Sequence, residues 1–384
     1  MNEAPGPLLR RGPRPLLLHL TRAMLKSSGS LAAWQSLNNG SPSWSADGAE
    51  TPPLAESLAH DRALIAGIAA YRRHPWRRTL ADPPAIWAEG GSRLLEYSTA
   101  GPTVLFVPSL VNRAHVLDLA PGRSMMRFLA GQGLRVLLLD WGWPGETERG
   151  FTLTDYIAGR LERALVAAGG PVVLAGYCMG GLLTLAAALR RPDRVCALAL
   201  LATPWDFHAG DAETATSLAR LLPMFEPAFA FSRTLPIDAL QMLFAMLDPD
   251  GIAEKYRDFG TADPDSERAR MFVALEDWLN DGVPLAAPVA RECLAGWYGA
   301  NTPGNGAWRV AGLAVDPAAL AVPAFVAVPG RDRIVPPETA RPLAALIPGA
   351  VLHEPRAGHI GMAAGARAQT ELWAPLLDWV RASA

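Results

Sequence analysis

Lysine is almost missing from this 384-residue chain: only Lys26 and Lys255 occur, and arginine carries nearly all the positive charge. We read that bias as base composition, without functional meaning. A basic excess is missing too. Lys+Arg of 35 against Asp+Glu of 37 leaves a net charge of −2, which argues against a general nucleic-acid binder. Cysteine is scarce. Cys178, Cys196 and Cys293 are too few and too scattered for a disulfide framework, and no C-x-x-C pair suggests a metal. That usage suits a reducing cytoplasm. No run approaches the ~18 apolar residues of a membrane span. The best N-terminal candidate for a leader, Leu16-Leu17-Leu18-His19-Leu20, is broken by Arg22 and Lys26. Internal repeats are lacking as well. Half of the chain is hydrophobic and only 19% is charged, so a sizeable core can be buried. The expectation is a soluble, cytoplasmic, globular protein without a transmembrane segment. It has room for one large α/β domain with additions, or for two modest domains.

Residues 1–85 read as an N-terminal helical extension. It comprises a proline-punctuated basic start with a short amphipathic helix, a linker from Asn38 to Pro53, and a second helix. Leu54, Leu58, Ile65 and Ile68 give that helix an apolar stripe. The cluster Arg72-Arg73-His74-Pro75-Trp76-Arg77-Arg78 follows, either a solvated helix end or a contact for an anionic headgroup or coenzyme phosphate. From about residue 86 short apolar runs alternate with helical segments. The runs are Thr103–Val107, Arg135–Leu139, Pro171–Ala175, Val195–Ala202, Ala324–Val328 and Ala350–Glu354. This rhythm predicts an α/β fold with a mostly parallel sheet and helices on both faces. Residues 204–300 break the rhythm and read as a helical cap inserted between core parts 86–203 and 301–384.

Gly176-Tyr177-Cys178-Met179-Gly180-Gly181 follows a strand and opens a helix. The spacing is that of a nucleophile elbow, G-x-S-x-G, with cysteine in place of serine. A sharp strand-to-helix turn projects the central side chain above the sheet at a helix N-terminus, whose partial positive charge favours a thiolate. Cys196 sits inside an apolar run and Cys293 in a helical stretch, so both read as packing residues. In such folds the acid and then the histidine follow the nucleophile. Asp332 lies just past the run Ala324–Val328, with Asp206 and Asp316 as alternative acids that could equally be turn residues. His359, between Gly358 and Gly361 after the last apolar run, is the expected base. His115 and His208 could line the site without being the base.

These motifs resemble the polyhydroxyalkanoate synthase family of α/β-hydrolase-fold acyltransferases. Besides the cysteine elbow, the resemblance is carried by Pro108-Ser-Leu-Val-Asn112-Arg113 with Leu117-Asp118-Leu119, and by Asp140-Trp141-Gly142 with Pro144. It is carried further by Thr203-Pro204-Trp205-Asp206-Phe207, Asp332-Arg-Ile-Val-Pro336, Gly358-His359-Ile-Gly361 and Trp373-Ala-Pro375-Leu376. They span roughly residues 100–382. The chain departs from the family pattern at Arg333, where a histidine is usual, and at His115, where an aromatic is usual.

The resemblance implies an α/β-hydrolase fold with a helical cap, and an enzyme that polymerises 3-hydroxyacyl-CoA with release of coenzyme A. The coenzyme A thioester is substrate, and no cofactor or metal is implied. Cys178, Asp332 and His359 would form a triad. The backbone N–H groups of Met179 and of Val111, in the loop after Thr103–Val107, would form the oxyanion hole. Asn112, Arg113, His115, Trp141 and Arg333 are candidates for the substrate channel. The short N-terminal extension looks like that of the catalytic subunit of two-subunit synthases, which implies a second subunit, a homodimer or hetero-oligomer, and contact with the polymer granule surface. The alternatives are a cysteine hydrolase of the dienelactone hydrolase type, acting on an ester, lactone or thioester, and a granule-associated homologue with weak catalysis.

Overall fold

The computed structural model describes residues 10–25, 54–247 and 251–383. They fall into two compact units, one made of residues up to 78 together with 241–280, the other of 79–240 and 281–384. Residues 241–280, from the middle of the segment 204–300, group with the residues up to 78.

In the smaller unit the helix Leu54–Arg73 packs along Gly251–Gly260. Leu64, Ile68 and Tyr71 form its buried face with Tyr256, Phe259, Ala269 and Val273. Leu58 and Ile65, expected in the stripe, are exposed, and the Leu54 side chain lies outside the described residues. A close approach turns the helix this way. A Cβ on Gly67 would collide with the carbonyl of Tyr256, so only glycine lets the two helices meet there. The linker 38–53 also lies outside the described residues. Part of the basic cluster is drawn into the fold, while Arg73 and Arg77 are exposed. His74 is buried with its Nε2 2.8 Å from the Pro264 carbonyl, and the Arg72 guanidinium donates to the Arg10 carbonyl at 3.0 Å.

The larger unit is built on eight strands: β1 (Ala85–Glu89), β2 (Ser92–Glu96), β3 (Thr103–Val107), β4 (Arg135–Asp140), β5 (Val172–Tyr177), β6 (Val195–Leu201), β7 (Ala324–Ala327) and β8 (Val351–His353). Their order across the sheet is β1-β2-β4-β3-β5-β6-β7-β8. All pairings from β4 to β8 are parallel, while β1–β2 and β2–β4 are antiparallel. The mostly parallel sheet expected from the apolar runs is the one found. The leading hairpin β1–β2 had no apolar run to announce it: β1 lies at the sheet's edge, largely exposed. Strands β3 to β7 are buried almost throughout, which is why they read as continuous apolar runs rather than alternating ones.

Candidate active site

Beyond the carboxyl ends of β5, β7 and β8 the chain presents Cys178, Asp332 and His359, where ligands bind in open α/β sheets. Cys178 caps the helix Met179–Arg190 with φ 58° and ψ −130°, a conformation that costs energy in a non-glycine residue and persists only when its surroundings fix it. Here they do. Its N–H donates to the Leu201 carbonyl at 2.8 Å, and its own carbonyl accepts from Gly181 at 2.9 Å. A Cβ at Gly180 would collide with the carbonyls of Val107 and Pro108, so glycine lets the end of β3 press against the elbow.

His359 opens the helix His359–Ala364. Its Nδ1 lies 2.6 Å from Asp332 Oδ2, and both residues are buried. The other carboxylate oxygen, Oδ1, accepts from the N–H groups of Ile334 and Val335 at 2.8 and 2.9 Å, which fixes the carboxylate plane. Burial alone would lower the affinity of His359 for its proton. The charge on Cys178, the hydrogen bond to Asp332 and the hydrogen bond to Cys178 outweigh it and push the pKa up to about 10. Cys178 itself is half-buried.

The alternative acids serve turns. Asp206 accepts from the amides of His208 and Ala209 and from Asn301 Nδ2, and Asp316 caps a short turn through Ala318. Cys293 is buried, and burial raises the thiol pKa of the half-buried Cys196. His208 Nε2 lies 2.9 Å from the Tyr298 carbonyl.

The structure places the remaining expected residues unevenly. Met179 begins the elbow helix and is buried. The Val111 N–H donates to the Ser109 hydroxyl at 3.1 Å, so this expected oxyanion donor has a partner within its own loop. The side chain of Asn112 is half-buried, its Oδ1 shielded and without a hydrogen-bond partner among the described residues. Arg113 lies 3.6 Å from Asp140 Oδ2. His115 belongs to a tight turn, Ala114–Leu117, that packs on the helix His359–Ala364. Trp141 is buried, and its indole N–H donates to the Pro108 carbonyl at 3.0 Å, so it faces the protein interior. Arg333 is exposed.

Sequence reasoning missed two neighbours. The Tyr177 hydroxyl donates to the His359 backbone carbonyl at 3.1 Å, and its ring lies 5.1 Å from the imidazole. Burial, then the charges on Cys178 and Asp332, hold that hydroxyl protonated, so it remains a donor. Tyr298 lies close enough to Cys178 for that charge to help raise its own pKa, after burial. Its ring packs edge-on against Phe207 at 5.0 Å. Nothing local to either residue's sequence signalled these contacts.

A strand-ended elbow carrying a thiol, with a buried His–Asp pair beside it, is the arrangement of an α/β-hydrolase fold. The profile of the alpha/beta hydrolase fold family matches residues 102–365, and the chain belongs to that family. Within it, the chain is similar to the PhaC subunit of poly(3-hydroxyalkanoate) polymerase from Haloferax mediterranei, at 30% identity over 313 residues, 77% of this chain and 62% of that protein. It is also similar to the PhaC subunit from Allochromatium vinosum, at 29% identity over 285 residues, 72% of this chain and 80% of that one. The chain thus spans less than two thirds of the Haloferax protein's length. A solved alpha/beta hydrolase fold protein from Nakamurella multipartita is 17% identical, with a TM-score of 0.47, covering 79% of this chain and 100% of that one. No helix among the described residues is long and apolar enough to cross a membrane.

Proposed function

We propose that this protein is an acyltransferase that polymerises 3-hydroxyacyl units from their coenzyme A thioesters through an acyl-enzyme on Cys178. The observation that carries the reading is a thiol, rather than a hydroxyl, on the elbow, with a buried His359 that Asp332 braces at 2.6 Å close enough to feel its charge. Similarity to PhaC subunits of poly(3-hydroxyalkanoate) polymerase supports the substrate class. The Cys178 thiol gives its proton to His359, and the sulfur attacks the thioester carbonyl. The oxyanion collapses, the bond to the coenzyme A sulfur breaks, and that sulfur leaves with the proton from His359. One thioester replaces another, so the step is nearly isoenergetic. In the second half His359 takes the proton of an incoming hydroxyl, whose oxygen attacks the Cys178-bound acyl group. An ester forms and Cys178 recovers its proton.

Asp332 holds the imidazole tautomer and steadies its charged form. The Met179 N–H and a donor from the loop Ser109–Val111 would face the oxyanion, each worth about 3 kcal/mol. For Val111 to serve, it must give up or share its bond to the Ser109 hydroxyl. Cysteine, histidine and aspartate suffice for this chemistry, so no resident cofactor enters it. The same reading extends to a cytoplasmic protein that works at the granule surface, as a homodimer or with a second synthase subunit.

Incubation with 3-hydroxybutyryl-CoA tests the proposal. Coenzyme A release with polymer is the expected result. Release with free 3-hydroxybutyrate would make the chain a cysteine hydrolase, and absence of release would leave it a binding role.

A further inference from the structure

Trp141 reads from the sequence as a substrate-channel residue, yet the structure turns it inward. Its backbone carbonyl accepts from the fully buried Ser92 hydroxyl at 3.0 Å, and its ring packs edge-on against Tyr156 at 5.4 Å. Its indole N–H then reaches the Pro108 carbonyl. That carbonyl lies where the end of β3 meets Gly180 of the elbow. The parallel register pairs Val107 with Gly176. The loop 108–113 therefore leaves β3 beside the strand that ends at the elbow. Asp140, the residue before Trp141, adds a second hold on the same loop through Arg113 at 3.6 Å, and is itself fixed by Arg93 at 2.8 Å and by the Gly142 N–H at 3.1 Å. A third tie runs from the Val283 N–H to the Val111 carbonyl at 3.0 Å.

We propose that Trp141 is a positioning residue: with Asp140 it clamps the loop 108–113 against the elbow, and so sets where the loop's oxyanion donor stands relative to Cys178. A carbonyl fixed by an indole N–H fixes the whole Pro108–Ser109 peptide plane, because the peptide is rigid. The Ser109 N–H lies in that plane, and Val111, two residues on, is held in turn by its own N–H to the Ser109 hydroxyl and by its carbonyl to the Val283 N–H. The indole–carbonyl bond is buried. The proposal rests on the acyl-transfer reading only in that the loop must face an oxyanion; it holds equally for a hydrolase.

The test separates two reactions of Cys178. Acylation by a thioester or ester passes through an oxyanion. Alkylation by iodoacetamide forms a sulfur–carbon bond and expels iodide, with no oxyanion at all. In Trp141→Phe, which keeps an aromatic ring and loses the N–H, acylation by 3-hydroxybutyryl-CoA should slow roughly ten- to a hundredfold with KM changed little. The alkylation rate should stay within about twofold of wild type. Arg113→Gln, which loosens the second hold without touching the core, should show the same pattern with a smaller loss. A parallel fall of both rates would make Trp141 merely structural, and unchanged acylation in both variants would overturn the clamp. Should wild type fail on 3-hydroxybutyryl-CoA but acylate with p-nitrophenyl butyrate, the substrate reading falls while the same comparison on the ester still decides the clamp. Failure of wild type on both would overturn both.

Discussion

The Cys178 sulfur and the Asp332 carboxylate favour the charged form of the buried His359, and that coupling has a measurable signature. If the sulfur's charge is what offsets burial, Cys178→Ala should drop the His359 pKa by more than about one unit from its value near 10, read by NMR titration of the imidazole. An unmoved titration would assign the shift to Asp332 alone. The sign also fixes a stability profile. Because the folded pKa lies above the ordinary 6.5, the stabilisation is complete below about pH 6.5 and is lost as pH rises through about 10. Cys178→Ser should keep the elbow and lose most acyl transfer, by roughly a hundredfold or more, since a hydroxyl lacks an accessible anion. Near-normal turnover would remove the thiolate from the mechanism. That His359 pairs with Asp332, and that Cys178 stands on a strand-to-helix elbow, was legible in the sequence, because each follows a recognisable apolar strand and carries a local glycine or turn signature. The contacts of Tyr177 and Tyr298 were not. They depend on how the loop after β8 and the segment around residue 298 fold back toward the elbow, which no periodicity encodes.

The elbow and the end of β3 constrain each other at the scale of elements. Gly180→Ala would drive a methyl into the carbonyls of Val107 and Pro108. It should cost about 1–3 kcal/mol in urea unfolding, and impair acylation beyond what stability explains. A well-folded, fully active variant would show the strand–elbow contact to be slack. The buried parallel strands were readable for the same reason that they are buried: both faces need apolar side chains. The edge hairpin β1–β2, half solvated, leaves no such trace. The helix Leu54–Arg73 was misread by about one residue around its axis. Its sequence offers two apolar faces, and the choice of Leu64, Ile68 and Tyr71 was made by Gly67 meeting Tyr256, a contact almost two hundred residues away in the chain.

Across the whole molecule, the unexpected feature is that the smaller unit is assembled from two distant stretches of sequence. Arg10 ties them. Its Nε donates to Asp277 at 2.7 Å, and other guanidinium N–H groups reach the carbonyls of His74 and Trp76. The Tyr71 hydroxyl donates to the same Asp277 carboxylate at 2.9 Å. Burial raises the Asp277 pKa, and the Arg10 charge is the largest influence opposing it. Arg10→Ala should therefore destabilise this unit by about 1–2 kcal/mol, the lower part of the range for a broken buried pair because Asp277 is 31% exposed. Faster amide exchange in Glu267–Asn280 would report it; unchanged exchange would show the tie to be idle. Composition marked the basic start of the chain but gave it no partner, since an arginine's counter-ion 267 positions away leaves no local pattern.

This discontinuity has a consequence for the order of synthesis. The helix Leu54–Arg73 leaves the ribosome long before Gly251–Gly260 and Glu267–Asn280 exist to cover it. At ribosomal speed the interval is roughly ten to forty seconds. During that time Leu64, Ile68 and Tyr71 lack Tyr256, Phe259, Ala269 and Val273, and have only the early residues Leu16, Leu20, Ala23 and Trp76 to pack against. We expect nascent chains stalled before residue 251 to be captured by chaperones through this face, and chains stalled beyond residue 300 to escape, a difference that ribosome-bound pull-downs can measure.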